Sequence, residues 1–317
     1  MANPGIANTY DCPNYFGELF TADVNQTPLL SMIGGLGGGR STDNDEFPTG
    51  VLFDMPNPAQ PSISEDASVT APAATAIVRR QEKNVTQIHQ EAIALTYAKQ
   101  ANKGKLTGIN TGGTNANPPS ELDWQINQRL IKIAKDVEFS FIQGTYANGG
   151  SAATANTTRG LLELCSTGTT IAAAGAPLDI ALLKTLYKEM ADNGAFFTNM
   201  VVFVNSTQKQ VFTSVYESRP GFGLPQTRNV GGLNITEFEN DFFRGGVVYS
   251  RYIPQDTLLI ADVSYIAAVT QPHPQHGNFF LESLAKEGAA DRFQIYGQIG
   301  LAHGPAFLHG TITGLAV

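Results

Sequence analysis

Residues 121–143 carry the most regular apolar pattern in the chain. Leu122, Ile126, Leu130, Ile133, Val137 and Phe141 follow spacings of 4, 4, 3, 4 and 4, which predicts one apolar stripe on a long helix. Ser120 is a suitable N-cap, Asp123 completes a Ser-x-x-Asp box, Pro118-Pro119 precede it, and Gly144 suits the C′ position. The other face holds Gln125, Arg129, Lys132 and Asp136, so the helix is expected to lie with one side on a core.

Before that helix the pattern is different. Residues 1–45 are poorly periodic, broken by Pro4, Pro13, Pro28 and the run Gly34–Gly39, and predict an extended arm with short helical turns. From Glu46 to Met55 the residues alternate, with Phe47, Val51, Phe53 and Met55 on one face of a predicted strand. Pro56–Pro72 is Pro-rich and contains Glu65-Asp66. A second strand-like run covers Thr75–Lys99, polar in its middle (Arg79, Arg80, Glu82, Lys83) and apolar at its end (Ile93, Leu95, Tyr97). These two runs predict a long hairpin with little surface of its own to bury. A bare two-stranded hairpin is marginal in water, so a neighbouring surface is expected to cover it.

After the long helix, Asn148–Thr158 reads as a loop. Helices are predicted at Leu178–Asn193, with Leu182, Leu186 and Met190 inward, and from an Asn205 or Ser206 cap to Tyr216. A buried strand, Met200–Val204, lies between them, giving a compact α/β lobe. Gly221–Gly232 is a loop. Strand-like runs follow at Leu233–Glu239, Val247–Tyr252 and Thr257–Ala261, then a Pro/His loop at Thr270–Asn278. Phe293, Ile295, Ile299 and Leu301 predict a further strand, with a turn at Ala302–Ala306 and its return at Phe307–Leu315. No internal repeat is present.

Composition sharpens this picture. The chain has 317 residues, 42% apolar but only 15% charged, against about 25% charged in an ordinary soluble domain. Large intersubunit contacts are one reason to tolerate so bland a surface. The net charge of −8 argues against a chain that grips nucleic acid with its whole surface. Cys12 and Cys165 stand far apart, so no disulfide framework is expected. Met1–Tyr10 has neither a basic n-region nor an apolar h-region, so no secretory signal is expected. No run approaches the roughly 18 apolar residues of a membrane span. Without a signal, the sequons at Asn25, Asn84, Asn156, Asn205 and Asn234 carry no weight.

Candidate chemistry is sparse. Gly34–Gly39 followed by Arg40-Ser41 is one residue from a phosphate-binding G-x-x-x-x-G-K-[ST] loop, but the flanking residues lack the strand and apolar helix that such a loop needs. His273 and His276 have metal-like spacing, with Glu282 the nearest further ligand, and read as a surface loop. His89, His303 and His309 read as isolated sheet residues, and Asp43, Asp45, Glu46, Glu65 and Asp66 as solvated loop charges. There is no G-x-S-x-G elbow, H-E-x-x-H or dinucleotide fingerprint. No catalytic residue, cofactor or metal is therefore expected.

The order of parts is the informative feature: arm, long hairpin, capped amphipathic helix, α/β lobe, closing β segment. It resembles the α+β Hong Kong 97-like fold of tailed-bacteriophage major capsid proteins. Local segments are similar to the SU-ten-like branch: Asn25–Ile33, Ile63–Ala67, Asp136–Gly144, Leu258–Asp262, Leu284–Gly288 and His309–Gly314. Together they span almost the whole chain.

The resemblance implies an N-terminal arm (1–45) and an extended loop (46–102) that reaches over a neighbouring subunit. It implies a peripheral domain (103–160) with a spine helix at 121–143, an axial domain (161–278) and a return to the peripheral domain (279–317). Phe47, Val51, Phe53, Ile93, Leu95 and Tyr97 are then expected as intersubunit contacts. The six stripe residues of the helix are expected to pack the spine. The implied protein is a non-enzymatic shell subunit forming hexamers and pentamers around double-stranded DNA, without sequence-specific binding or a membrane. Portal, separate scaffolding and decoration proteins are the implied partners, and assembly in the host cytoplasm is expected. No fused scaffolding helix is seen, and Lys99, Lys103 and Lys105 give no evidence of interchain crosslinks. The alternatives are an encapsulin with the same fold, an α/β hydrolase, and a tail-tube or decoration protein, against which the long helix argues.

Overall fold

The computed structural model describes residues 26–53, 55–101, 121–217, 227–230, 233–286 and 288–317. The arm before Gln26 with Cys12 and Asn25, the Ser120 cap with Pro118 and Pro119, Lys103, Lys105 and most of the 221–232 loop lie outside them.

In chain order the first elements are α1 (Pro28–Met32), β1 (Arg40–Ser41), β2 (Glu46–Phe53), α2 (Glu65–Ser68), β3 (Arg79–Val85), β4 (Gln87–Thr96) and α3 (Tyr97–Ala101). The long helix α4 (Glu121–Gln143) and the short α5 (Leu161–Ser166) follow. Next come β5 (Thr169–Ala172), α6 (Ile180–Asp192), β6 (Met200–Val204), α7 (Ser206–Glu217), β7 (Thr227–Val230) and β8 (Leu233–Glu239). The chain closes with β9 (Arg244–Tyr249), β10 (Leu258–Asp262), β11 (Ala267–Thr270), β12 (Phe279–Ser283), β13 (Ala290–Ala302) and β14 (Gly310–Thr313).

Two sheets share one core. The seven-stranded sheet runs β5-β14-β10-β6-β9-β8-β7. Its central strands β6 and β10 are buried at every position, because both faces are covered. On one side lie α6 and α7, whose Leu183, Leu186, Met190 and Phe212 meet Val202, Val204, Leu258 and Ile260. On the other side Val201, Phe203, Leu259 and Ala261 join the larger core formed with α1, α4 and α5. In the five-stranded sheet, the long β13 pairs with β4 over Ala290–Ile299 and, on its other edge, with β12 and then β11. Helix α4 lies on this sheet, with Ile93, Ile295, Ile299 and Leu301 beneath it.

The structure corrects two sequence expectations. First, the run Thr75–Lys99 is not one strand: β3 and β4 part at Thr86, and Tyr97–Ala101 is helical. Its halves have different partners, β3 pairing with β2 as a two-stranded ribbon and β4 with β13. Second, β14 is not the return of β13. It pairs antiparallel with β10 and parallel with β5 in the other sheet. Both edges of β13 are already taken, so the next strand crosses to the sheet that has a vacancy. The glycine run, which the sequence already argued against as a phosphate loop, lies between helix α1 and strand β1, the reverse of the strand–loop–helix order that cradles phosphate. Gly39 serves packing instead. It has φ +101°, and a Cβ there would stand 2.0 Å from the Ala268 carbonyl oxygen, so only glycine lets β1 lie along β11.

Candidate assembly surface

The β2–β3 ribbon leaves the body where β4 begins. At its root, Phe47 packs on Val269 and Ala302, and the Pro48/Gly50 step carries a register shift against β3. Beyond the root, no described residue covers the outer face of the strand. Val51 is 58% exposed and Phe53 59%, and the loop that joins the strands leaves Met55, Ile63, Ile77 and Val78 open, with Val69 87% exposed. Apolar side chains exposed in a row mark a surface that another molecule covers. The loop is not featureless: Ser64 caps the single-turn α2 by accepting the Ala67 N–H at 3.2 Å.

The six residues expected to face neighbours divide into two groups. Val51, Phe53 and Tyr97 are exposed. Tyr97 opens α3, with the Lys286 ammonium 5.6 Å above its ring. Phe47, Ile93 and Leu95 are buried within their own subunit. That corrects their assignment as intersubunit contacts: the inward face of β4 is covered by α4, and Phe47 fills the ribbon root, so none has surface left to offer. Of the helix stripe, Ile133, Val137 and Phe141 lie in the core, and Leu122, Ile126 and Leu130 pack half-buried against it. Ionic contacts fix α4 on the sheet. Glu91 of β4 binds Arg129 at 2.9 Å and also Lys132, which reaches Asp136 at 3.1 Å.

A polar network with no clear sequence signal holds the ribbon root. Asn84 is wholly buried. Its amide nitrogen donates to the Leu301 and Arg159 carbonyls at 2.7 and 3.2 Å. Its oxygen accepts the N–H groups of Val85 and Arg159 at 2.9 and 2.8 Å, so the side chain's capacity is filled. Asn84 is therefore a structural clamp, inaccessible as a sequon. Asn205 likewise donates to the Ile253 carbonyl at 2.8 Å and accepts the Ser206 N–H at the start of α7. Nearby, Glu82 is held above the usual carboxylate range by burial, against the opposing pull of Arg80 and Arg159.

His303 and His309 are not isolated sheet residues, as the sequence suggests, but neighbours at the crossing from β13 to β14. The His309 ring joins the His303 carbonyl through Nε2 at 2.6 Å and accepts the Asp262 N–H on Nδ1 at 3.2 Å. That fixes His309 as the neutral Nε2–H tautomer. His303 Nδ1 donates to the Gly304 carbonyl at 2.7 Å, and burial pushes its pKa down to about 4. The Asp262 carboxylate meets backbone rather than imidazole, accepting the N–H groups of Thr198, Asn199 and Ser264. This wiring ties the loops at the crossing together. The Cys165 thiol is fully buried, its pKa pushed up to about 12 by desolvation, which makes it inert. His276 stacks on Phe280, and His273 lies tilted against both rings. Among the described residues no cluster of three or more His, Cys, Asp or Glu side chains could hold a metal, and no helix is long and apolar enough to cross a membrane.

The same architecture recurs in shell-forming proteins. The chain is similar to the SrpI encapsulin of Synechococcus elongatus PCC 7942 at 11% identity and TM-score 0.62, covering 95% of this chain and 93% of that one. It is similar to the capsid of cyanophage A-1(L) at 12% identity and TM-score 0.61, covering 98% of each. The capsid of the native GTA particle matches at 12% identity and TM-score 0.56, covering 98% and 96%. At such identities these likenesses establish the fold, the Hong Kong 97-like α+β capsid fold. No curated protein sequence matches. The SU10 major capsid protein family matches residues 4–316. The chain therefore belongs to the SU10 major capsid protein family, as a structural protein of the tailed-phage head built from many copies.

Proposed function

We propose that this subunit closes into an icosahedral shell of hexamers and pentamers around double-stranded DNA, and that the β2–β3 ribbon with its loop is the extended loop that grips the next subunit. The observation that carries this is the row of exposed Val51, Phe53, Met55, Ile63, Val69, Ile77 and Val78 on an element with no core of its own. In this reading residues 1–45 are the arm, 46–102 the extended loop, and 103–160 with 279–317 the peripheral domain carrying α4 as its spine. Residues 161–278 are then the axial domain around the local symmetry axes. The chain acts as a building block, not a catalyst. Val51, Phe53 and Tyr97 are its contact residues. Portal, separate scaffolding and decoration proteins complete the head, which assembles in the host cytoplasm. Many modest heterologous contacts that close into rings suffice for such a shell.

Negative-stain electron microscopy and light scattering of the chain expressed alone and with its scaffold test this. Closed particles or ring-shaped capsomers are expected; a monomer of 33.8 kDa under both conditions overturns it. Deleting residues 56–72 should leave a folded subunit that assembles poorly, and a normal shell yield from that deletion would remove the ribbon's role. DNA inside purified particles supports a phage head. A protein cargo instead would support the encapsulin alternative.

A further inference from the structure

The first turn of α1 is held by a carboxylate from another element. Glu138, on the inner side of α4 and 0% exposed, accepts the Leu29 N–H on one oxygen at 3.0 Å and the Leu30 N–H on the other at 2.7 Å. Thr27, the N-cap residue of α1, makes no side-chain bond to it. Glu138 thus supplies, across 108 and 109 residues of chain, the acceptors that a local cap would supply. The Leu29 and Leu30 side chains enter the core that holds Ile133, Val137 and Phe141. The segment is tied again downstream, where β1 runs along β11.

The elements that pack most extensively on α4 are α1, α3, α5, β4 and β13. Helix α1 has no titratable side chain. Of the others, α3 carries Tyr97 and Lys99, α5 carries Glu163 and Cys165, β4 carries His89 and Glu91, and β13 carries Asp291, Arg292 and Tyr296. Glu91 is engaged by Arg129 and Lys132, and Glu163 by the Tyr146 N–H. None of them shifts Glu138 electrostatically. Burial raises its pKa to about 7, and the two N–H groups pull the other way. An ionised carboxylate can accept about four hydrogen bonds, so the charge is under-served where it lies.

We propose that the Glu138–α1 contact is a proton-linked clasp, holding the first turn of α1 on α4 more firmly in mild acid than in mild alkali. Undocking α1 would open Glu138 to water, where its ordinary value is 4.5. Its proton affinity is higher when docked, so docking takes up a proton. The clasp is therefore firmest below 4.5, weakens as pH rises, and levels off above about 7. Protonation weakens one of the two bonds, since the hydroxyl oxygen accepts poorly, but it also removes the cost of holding a charge at a wholly buried position with no cation beside it.

Hydrogen exchange of the full-length chain, read on a peptide covering residues 26–36 and divided by the intrinsic rate at each pH, tests the clasp. Protection should fall roughly ten- to a hundredfold between about pH 5 and 8, mostly below 7, while peptides from α6 show no such fall. E138Q, neutral at every pH, should flatten the profile. A flat wild-type profile overturns the proposal, and so does E138Q with the wild-type slope. The wild-type profile decides on its own if the variant does not fold.

Discussion

The centre of the seven-stranded sheet and strand β2 of the ribbon both carry apolar side chains, yet they differ in where that surface goes. In β6 and β10 every residue is buried within the subunit. In the ribbon, burial stops at Phe47 and Thr49, and the residues beyond stay open. Apolar alternation specifies a face, but not the molecule that covers it. A strand between two partners becomes core, whereas one that outruns its sheet becomes an adhesive edge.

The sharpest way to break that comparison is to remove core volume. Phe141→Ala, at a side chain with no exposed surface, should cost about 3–5 kcal/mol in urea unfolding. A cost under about 1 kcal/mol would mean that the helix–sheet core is not what holds the body together. The second effect is acid lability. His303 has a folded pKa of about 4 against an ordinary 6.5, so the unfolded chain takes a proton that the fold refuses. Stability is present above 6.5 and should fall by about 3 kcal/mol as pH drops through this window to 4. His309, lowered by the same desolvation, adds in the same direction. Unfolding midpoints across that range should show the loss, and His303→Gln should reduce the slope. Glu138 acts oppositely, losing stability as pH rises from 4.5 through about 7, so pairing His303→Gln with E138Q separates the two.

Asn84→Ala, which strands several buried backbone groups at the ribbon root, should cost about 2 kcal/mol. The smallest expected effect on stability is the most telling. Val51→Ser with Phe53→Ser should leave subunit unfolding within about 0.5 kcal/mol of wild type while reducing particle yield in sedimentation. A large loss of stability would place these side chains in the subunit's own core.

Legibility in the sequence followed the range of the interaction. Helix α4 was readable to its ends because its stripe, charges and C-terminal glycine are local. Met200–Val204 was readable because a strand covered on both faces is apolar throughout. The inward turn of Ile93 and Leu95 was not, because alternation in β4 does not reveal that α4 roofs one face. Asn84, Glu138 and the Asp262–His309–His303 chain were missed for a related reason. Their partners are mostly backbone groups far away in sequence, and backbone carries no residue signature. A glutamate beside an apolar helical stripe is the one local signal that singles out Glu138, which follows Val137 on the buried side.

The sequence by itself determined the longer helices and several of the strands, their order, the family resemblance and the lack of a recognisable catalytic motif, since these rest on local periodicity and residue type. The tertiary structure alone decided which strand joined which sheet, which apolar residues remained for neighbours, and where a buried carboxylate met two N–H groups. Those outcomes depend on which hydrogen-bonding edges and apolar faces are already occupied when the chain closes on itself, and occupancy is a property of the whole fold.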